Sequence, residues 1–169
     1  KLWSTRCRNL GQRTAHREKE YGIWKSFSWD QFYDRARHIG LGLRRLGLQR
    51  GEGVSILAED SKEWIYADIG IQSVGGIASG VYTTDSARQL AYLVNDSDSR
   101  FLFVENDEQL DKYLLIADKM PGLLKVIVFD LDGLHDFKDD NVISLEQLYQ
   151  IGAEAAIENP TEFEDEIAK

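Results

Sequence analysis

Residues that build cross-linked or metal-bound scaffolds are scarce in this chain. A single cysteine, Cys7, stands among 169 residues, so no internal disulfide can form and a reduced, cytoplasmic setting is the expectation. The three histidines, His16, His38 and His135, are scattered without zinc-ligand spacing. No run approaches the roughly 18 to 20 apolar residues needed to span a bilayer, and the opening K-L-W-S-T-R-C-R-N-L lacks the apolar centre of a signal peptide. The start at Lys1 instead of methionine reads as a trimmed beginning. Phosphate-binding signatures are missing too. No G-x-x-x-x-G-K-[ST] occurs, Gly51-Glu52-Gly53 precedes a strand and lacks a third glycine, and Gly76-Ile77-Ala78-Ser79-Gly80 has the wrong spacing for a serine elbow.

Positive charge is also short. The net charge of -9 argues against nucleic acid as a main partner, because a phosphate backbone is held chiefly by Lys and Arg. The distribution is uneven. Residues 1–50 carry 12 Lys and Arg against 4 Asp and Glu, a balance of +8, and residues 51–169 carry 8 against 25, a balance of -17. Either the two halves neutralise each other when packed, which is the reading adopted, or the first presents a basic patch to an anionic partner such as a membrane at the inner face.

What is present is a chain with 43% hydrophobic residues, enough for one sizeable core. The stretch Gly51–Asp85 organises it, with Val54–Ala58 as a short apolar run, Glu63–Val74 as a helix apolar on nearly every side, and Ile77–Tyr82 as a second run. Two short strands joined by a buried helix are the unit of a parallel α/β sheet. Gly70, Gly75 and Gly76 there imply close approach to a neighbouring element.

Upstream, residues 2–9 form one or two helical turns, and Tyr21-Gly22 turns a hairpin in which His16 is an exposed strand residue. Ser28 and Gln31 have capping-box spacing, opening a helix whose stripe is Trp29, Phe32, Tyr33, Ala36, Ile39, Leu43 and Leu46, with Gly47 as its stop. Arg35, Arg37, Arg44 and Arg45 fall off the stripe onto a solvated face. Asp60 or Ser61 caps the next helix. Downstream, Asp85 caps a helix with Leu90, Ala91 and Val94 inward, Phe101–Val104 is a strand, and Asp107–Lys119 is a helix with Leu110 and Leu114 inward. Val126–Phe129 is a further strand, and Ser144–Gln150 a short helix. The alternation predicts a doubly wound, mostly parallel sheet flanked by helices, with a small amino-terminal β-hairpin. Residues 1–150 form the α/β unit, and residues 151–169, rich in glutamate, read as an acidic linker.

One motif imitates chemistry. V-I-V-F-D-L-D-G-L, residues 126–134, places Asp130 and Asp132 at a strand end, like the nucleophile of haloacid-dehalogenase-type phosphatases. Leu134 replaces the expected Thr or Val, and 35 residues are too few to supply the remaining ligands; a turn made by Asp and Gly is the preferred reading. Tyr82, Thr83 and Thr84, at the carboxyl end of a parallel strand, are the candidate substrate-binding residues, because α/β sheets usually meet their ligands there. No catalytic or metal-binding residue is assigned.

Several blocks together resemble a known family. F-S-W-D-Q-F (27–32), G-L-R-R-L-G-L-Q-R-G-E-G-V-S-I-L-A-E-D-S-K-E-W (42–64) and Q-S-V-G-G-I-A-S-G-V-Y-T-T-D-S-A-R-Q-L-A-Y-L-V-N-D-S (72–97) are similar to core segments of the adenylate-forming, AMP-binding acyl-CoA synthetases. The G-V-Y-T-T variant and R-E-K-E-Y-G-I-W-K-S-F-S-W (17–29) favour the long-chain fatty-acid–CoA ligase branch. Gly53 departs from the pattern where arginine is frequent. The resemblance implies a parent enzyme that uses ATP, magnesium and coenzyme A to turn a fatty acid into acyl-CoA through an acyl-adenylate. The family's Ser/Thr/Gly-rich phosphate loop and its carboxyl-terminal lysine lie outside the matching segment. The expectation is an inactive amino-terminal fragment holding no cofactor itself, whose partner is the remainder of its own polypeptide and whose exposed apolar surface would allow a homo-oligomer. The competing expectation is a free-standing α/β binding or interaction module.

Overall fold

The computed structural model describes residues 1–169. Helix α1 (Leu2–Leu10) leads into an antiparallel hairpin, β1 (Thr14–Glu20) and β2 (Ile23–Ser28), turned at Tyr21-Gly22. Helix α2 (Trp29–Arg45) begins in the capping box its sequence announces, with Gln31 N–H donating to Ser28 Oγ at 3.2 Å and Ser28 N–H to Gln31 Oε1 at 2.8 Å. Then follow β3 (Gly53–Leu57), α3 (Lys62–Ser73), β4 (Ile77–Val81), α4 (Ala87–Asp96), β5 (Ser99–Val104), α5 (Asp107–Leu114), β6 (Lys125–Val128), β7 (Val142–Ser144), α6 (Leu145–Glu158) and α7 (Glu162–Ala168).

Strands β3 to β7 form one all-parallel sheet in the order β4-β3-β5-β6-β7. The chain starts inside the sheet, steps one way, then reverses, which is doubly wound topology with its switch point between β3 and β5. Period-two alternation sorts the strand side chains onto two faces. Val54, Ile56, Phe101, Phe103 and Ile127 join residues of α2, α3, α6 and α7 in the larger core. Leu57, Leu102, Val104, Val126 and Val128 meet α4 and α5 in the smaller one.

Close helix packing explains two glycines. A Cβ on Gly70 of α3 would lie 2.7 Å from the Ala36 carbonyl oxygen, and one on Gly152 of α6 would lie 1.8 Å from the His38 carbonyl oxygen. Helix α2 is therefore clamped between α3 and α6 at backbone distance.

Several expectations are corrected. Ser86, not Asp85, caps α4, because its hydroxyl and Gln89 form a full capping box. The helix expected to reach Lys119 stops at Leu114, resuming only as a 3₁₀ turn at Ala117–Lys119, and Leu114 is partly exposed while Tyr113 is buried. Helix α3 buries one side, with Ile65 45% exposed. His16 is half-buried, stacked on Phe27 at 5.0 Å between ring centroids, with its Nε2 3.0 Å from the Tyr66 hydroxyl. Residues 151–169 do not behave as a linker: they complete α6 and form α7, whose Phe163 is fully buried.

The reason is electrostatic as well as apolar. Arg44 pairs with Glu162 (3.3 Å) and Glu166 (3.4 Å), Arg45 with Glu158, Arg50 with Glu166 (3.1 Å) and Arg35 with Glu146 (3.9 Å), while Arg37 donates to the Pro160 carbonyl (2.8 Å). Arg44, Arg45 and Arg50 are thus met by carboxylates of the acidic tail, which for this part of the basic half is the mutual neutralisation expected from the charge asymmetry.

Candidate functional site

In a doubly wound sheet the crevice outside the carboxyl ends of the strands, at the switch point, is where ligands bind. Here β3 ends toward Ala58-Glu59-Asp60 and β5 toward Glu105-Asn106, on opposite sides of the switch. Hydrogen bonds centred on Glu105 tie the exits together: its carboxylate Oε2 accepts from Glu59 N–H (2.8 Å), its N–H donates to Leu57 O (3.1 Å), and its carbonyl accepts from Asp130 N–H (2.9 Å).

The three residues singled out in the sequence sit beside this edge but differ in their engagement. Thr83 donates its hydroxyl to Glu59 and accepts on its carbonyl from Lys112. Tyr82 is 80% exposed, and Thr84 is exposed. Thr83 and Thr84 line an all-polar crevice of about 520 Å³ with Glu59, Glu105, Glu108 and Lys112; Tyr82 lies across from Trp64 in a neighbouring groove of about 350 Å³.

One main-chain donor at each helix start on this edge is already engaged. The nitrogen ends of α3, α4 and α5 are capped by Ser61, Ser86 and Asn106, each side chain accepting the N–H three residues on. Asp107 and Glu108 add negative charge in the first turn of α5, and Lys112 is committed to Thr83. Glu59, Glu105 and Glu108 make this edge rich in acceptors. No group of three or more His, Cys, Asp or Glu side chains is placed to hold a metal ion. At the phosphatase-like motif, Asp132 N–H donates to Asp130 Oδ1 (3.0 Å) and Gly133 adopts φ +83°, the geometry of a turn.

A larger cleft, about 800 Å³, opens between α2, α3 and α6. It was not legible from local spacing, because its walls come from elements over a hundred residues apart. The Arg35 guanidinium lies 4.3 Å over the Tyr149 ring. Burial pushes the Tyr66 hydroxyl up to about 12 and holds the His38 imidazole below its usual value. Lys62, although burial opposes its charge, is held protonated by Glu18 and Glu63. These groups line the cleft with polar and aromatic contacts.

Comparison with known proteins accounts for this scaffold. The model of the family described as AMP-binding enzyme matches residues 3–163. The chain is 34% identical over 151 residues to the long-chain-fatty-acid–CoA ligase ACSBG2 of Xenopus laevis, covering 89% of this chain and 20% of that protein. It is 32% identical over 153 residues to ACSBG1 of Bos taurus, covering 90% and 21%. Among solved structures it resembles the anthranilate CoA ligase AuaEII in complex with anthranoyl-AMP, with TM-score 0.68, 26% identity, and coverage of 85% of this chain and 25% of that one. The adenylation domain of a carboxylate reductase from Mycobacterium chelonae shares the fold, with TM-score 0.76 at 16% identity over 90% of this chain and 28% of that domain. The chain belongs to the AMP-binding enzyme family. It spans about a fifth of the length of the curated relatives it matches.

Proposed function

We propose that this chain is the amino-terminal scaffold of a long-chain fatty-acid–CoA ligase, and that it is catalytically silent by itself. The parent reaction joins a fatty carboxylate to the AMP moiety of ATP with release of pyrophosphate, then transfers the acyl group to the coenzyme A thiol with release of AMP. Such phosphoryl and acyl transfers need donors aimed at developing negative charge. The observation carrying the reading is the carboxyl edge of the sheet, where side chains cap α3, α4 and α5 and carboxylates outnumber free donors. This segment holds up a nucleotide site supplied by the remainder of the polypeptide.

Incubating the 169-residue chain with ATP, magnesium, palmitate and coenzyme A is expected to give no pyrophosphate above blank, and appreciable turnover would refute the proposal. A second reading, a complete binding module, is favoured only by the closed hydrogen bonding of the edge. Ile77, Tyr82, Tyr92, Leu115 and Ile157, each more than half exposed, speak against it. A scaffold leaving such surface uncovered binds a hydrophobic dye or self-associates; a complete module does neither.

A further inference from the structure

The charge pairing that fixes α7 leaves one region uncompensated. Residues 1–28 carry seven Lys and Arg against two carboxylates, Glu18 and Glu20, a balance of +5. Both carboxylates are on one face of the hairpin. Register pairs Glu20 with Ile23, Glu18 with Lys25 and His16 with Phe27, and residues directly opposite share a face. That face turns inward: Lys62 of α3 pairs with Glu18 and with Glu20 (3.3 Å), Lys25 also takes Glu20, and His16 meets Tyr66. The other face is set by the pairs Lys19–Trp24 and Arg17–Ser26. It bears no carboxylate. Arg17 and Lys19 are exposed and make no ion pair, whereas Arg35, Arg44, Arg45 and Arg50 all do. Trp24 is 65% exposed; at the turn Tyr21 is fully exposed, and Ile23, although its register sets it on the Glu20 face, is 68% exposed at the hairpin's end.

We propose that this outward face of the hairpin, Arg17, Lys19 and Trp24, together with the exposed tip where Tyr21 and Ile23 flank the turn, docks on an anionic lipid bilayer. Two cations meet the headgroups while an indole, a phenol and an aliphatic side chain enter the interfacial layer, where amphipathic rings settle. A nucleic acid would use the cations and rings but not Ile23, and a second copy would set like charges against each other. The inference is independent of the ligase reading, because its readout is partition and not turnover.

The test is sedimentation of the 169-residue chain with vesicles of phosphatidylcholine alone or mixed with phosphatidylglycerol. Binding is expected only to the anionic vesicles and should fall as salt rises. The double variant Arg17→Gln/Lys19→Gln should weaken it by about tenfold or more, with circular dichroism unchanged, while the charge-matched Lys119→Gln/Lys138→Gln should not. Trp24→Phe should abolish most of the fluorescence quenching by brominated lipid. Absence of anionic-lipid dependence, equal loss in both double variants, or tighter binding to duplex DNA than to vesicles at the same salt would each overturn the proposal.

Discussion

Arg50 donates from one guanidinium nitrogen to both the main-chain carbonyl (3.0 Å) and the carboxylate (3.1 Å) of Glu166, 116 residues further along the chain. Glu166 is 5% exposed and also receives Lys169 (2.7 Å) and Arg44 (3.4 Å). Burial disfavours its charge, but the hydrogen bonds from Lys169 and Arg50 and the charge of Arg44 outweigh it and hold the carboxyl below the usual range.

The sign of the consequence follows from linkage. A carboxyl whose folded value is depressed contributes stability that is present above about 4.5 and lost as pH falls through the folded value. Replacing Glu166 with Gln should therefore cost about 1–2 kcal/mol at pH 7, below the range for a fully buried pair because Arg50 is half-exposed. It should also flatten the loss of stability below pH 4.5. Urea unfolding across that range measures both, and an unchanged midpoint at pH 7 would count against the clamp.

Gly152 makes a prediction opposite to helix propensity. In an exposed helix interior, Gly→Ala stabilises by about 1 kcal/mol. At Gly152 the added Cβ would lie 1.8 Å from the His38 carbonyl oxygen and 2.5 Å from its carbon, both backbone atoms that cannot rotate away. Gly152→Ala should push α6 off α2 and destabilise by about 3 kcal/mol. Thermal unfolding distinguishes the outcomes: a raised midpoint would mean that the helices are not held at this distance.

His16 gives a second pH window. Burial lowers its value below 6.5, with Lys62 acting in the same sense and Glu18 and Glu63 against it. Its neutral ring packs on Phe27 and Tyr66, so the unfolded chain binds the proton more readily, and stability declines as pH falls below 6.5 toward the folded value. His16→Phe keeps the stacking and removes the titration. The slope of stability between pH 6.5 and 5 should become shallower, His38 supplying what remains because burial lowers it too.

Legibility followed the range of the interactions. The box at Ser28 lies within four residues of the helix it starts and forms where spacing places it, whereas the short helix expected over 144–150 runs on to Glu158 from a box at Ser144. The shift from Asp85 to Ser86 was a choice between adjacent capping residues settled by which could reach Gln89. Strand β7 escaped notice because Val142–Ser144 is too short for a period and exists through pairing with β6. His16 looked exposed from alternation alone, since its cover, Tyr66, lies 50 residues away.

Sequence alone therefore determined most of the strands and helices, though not β7 or α7, together with the parallel class of the sheet and the family, because capping, periodicity and family blocks are recorded in neighbouring residues. Tertiary structure alone decided that the acidic tail folds back on α2, that Thr83 is held by Glu59 and Lys112, and that the hairpin separates its carboxylates from its free cations. Those outcomes rest on distances between residues remote in the chain, and only packing sets such distances.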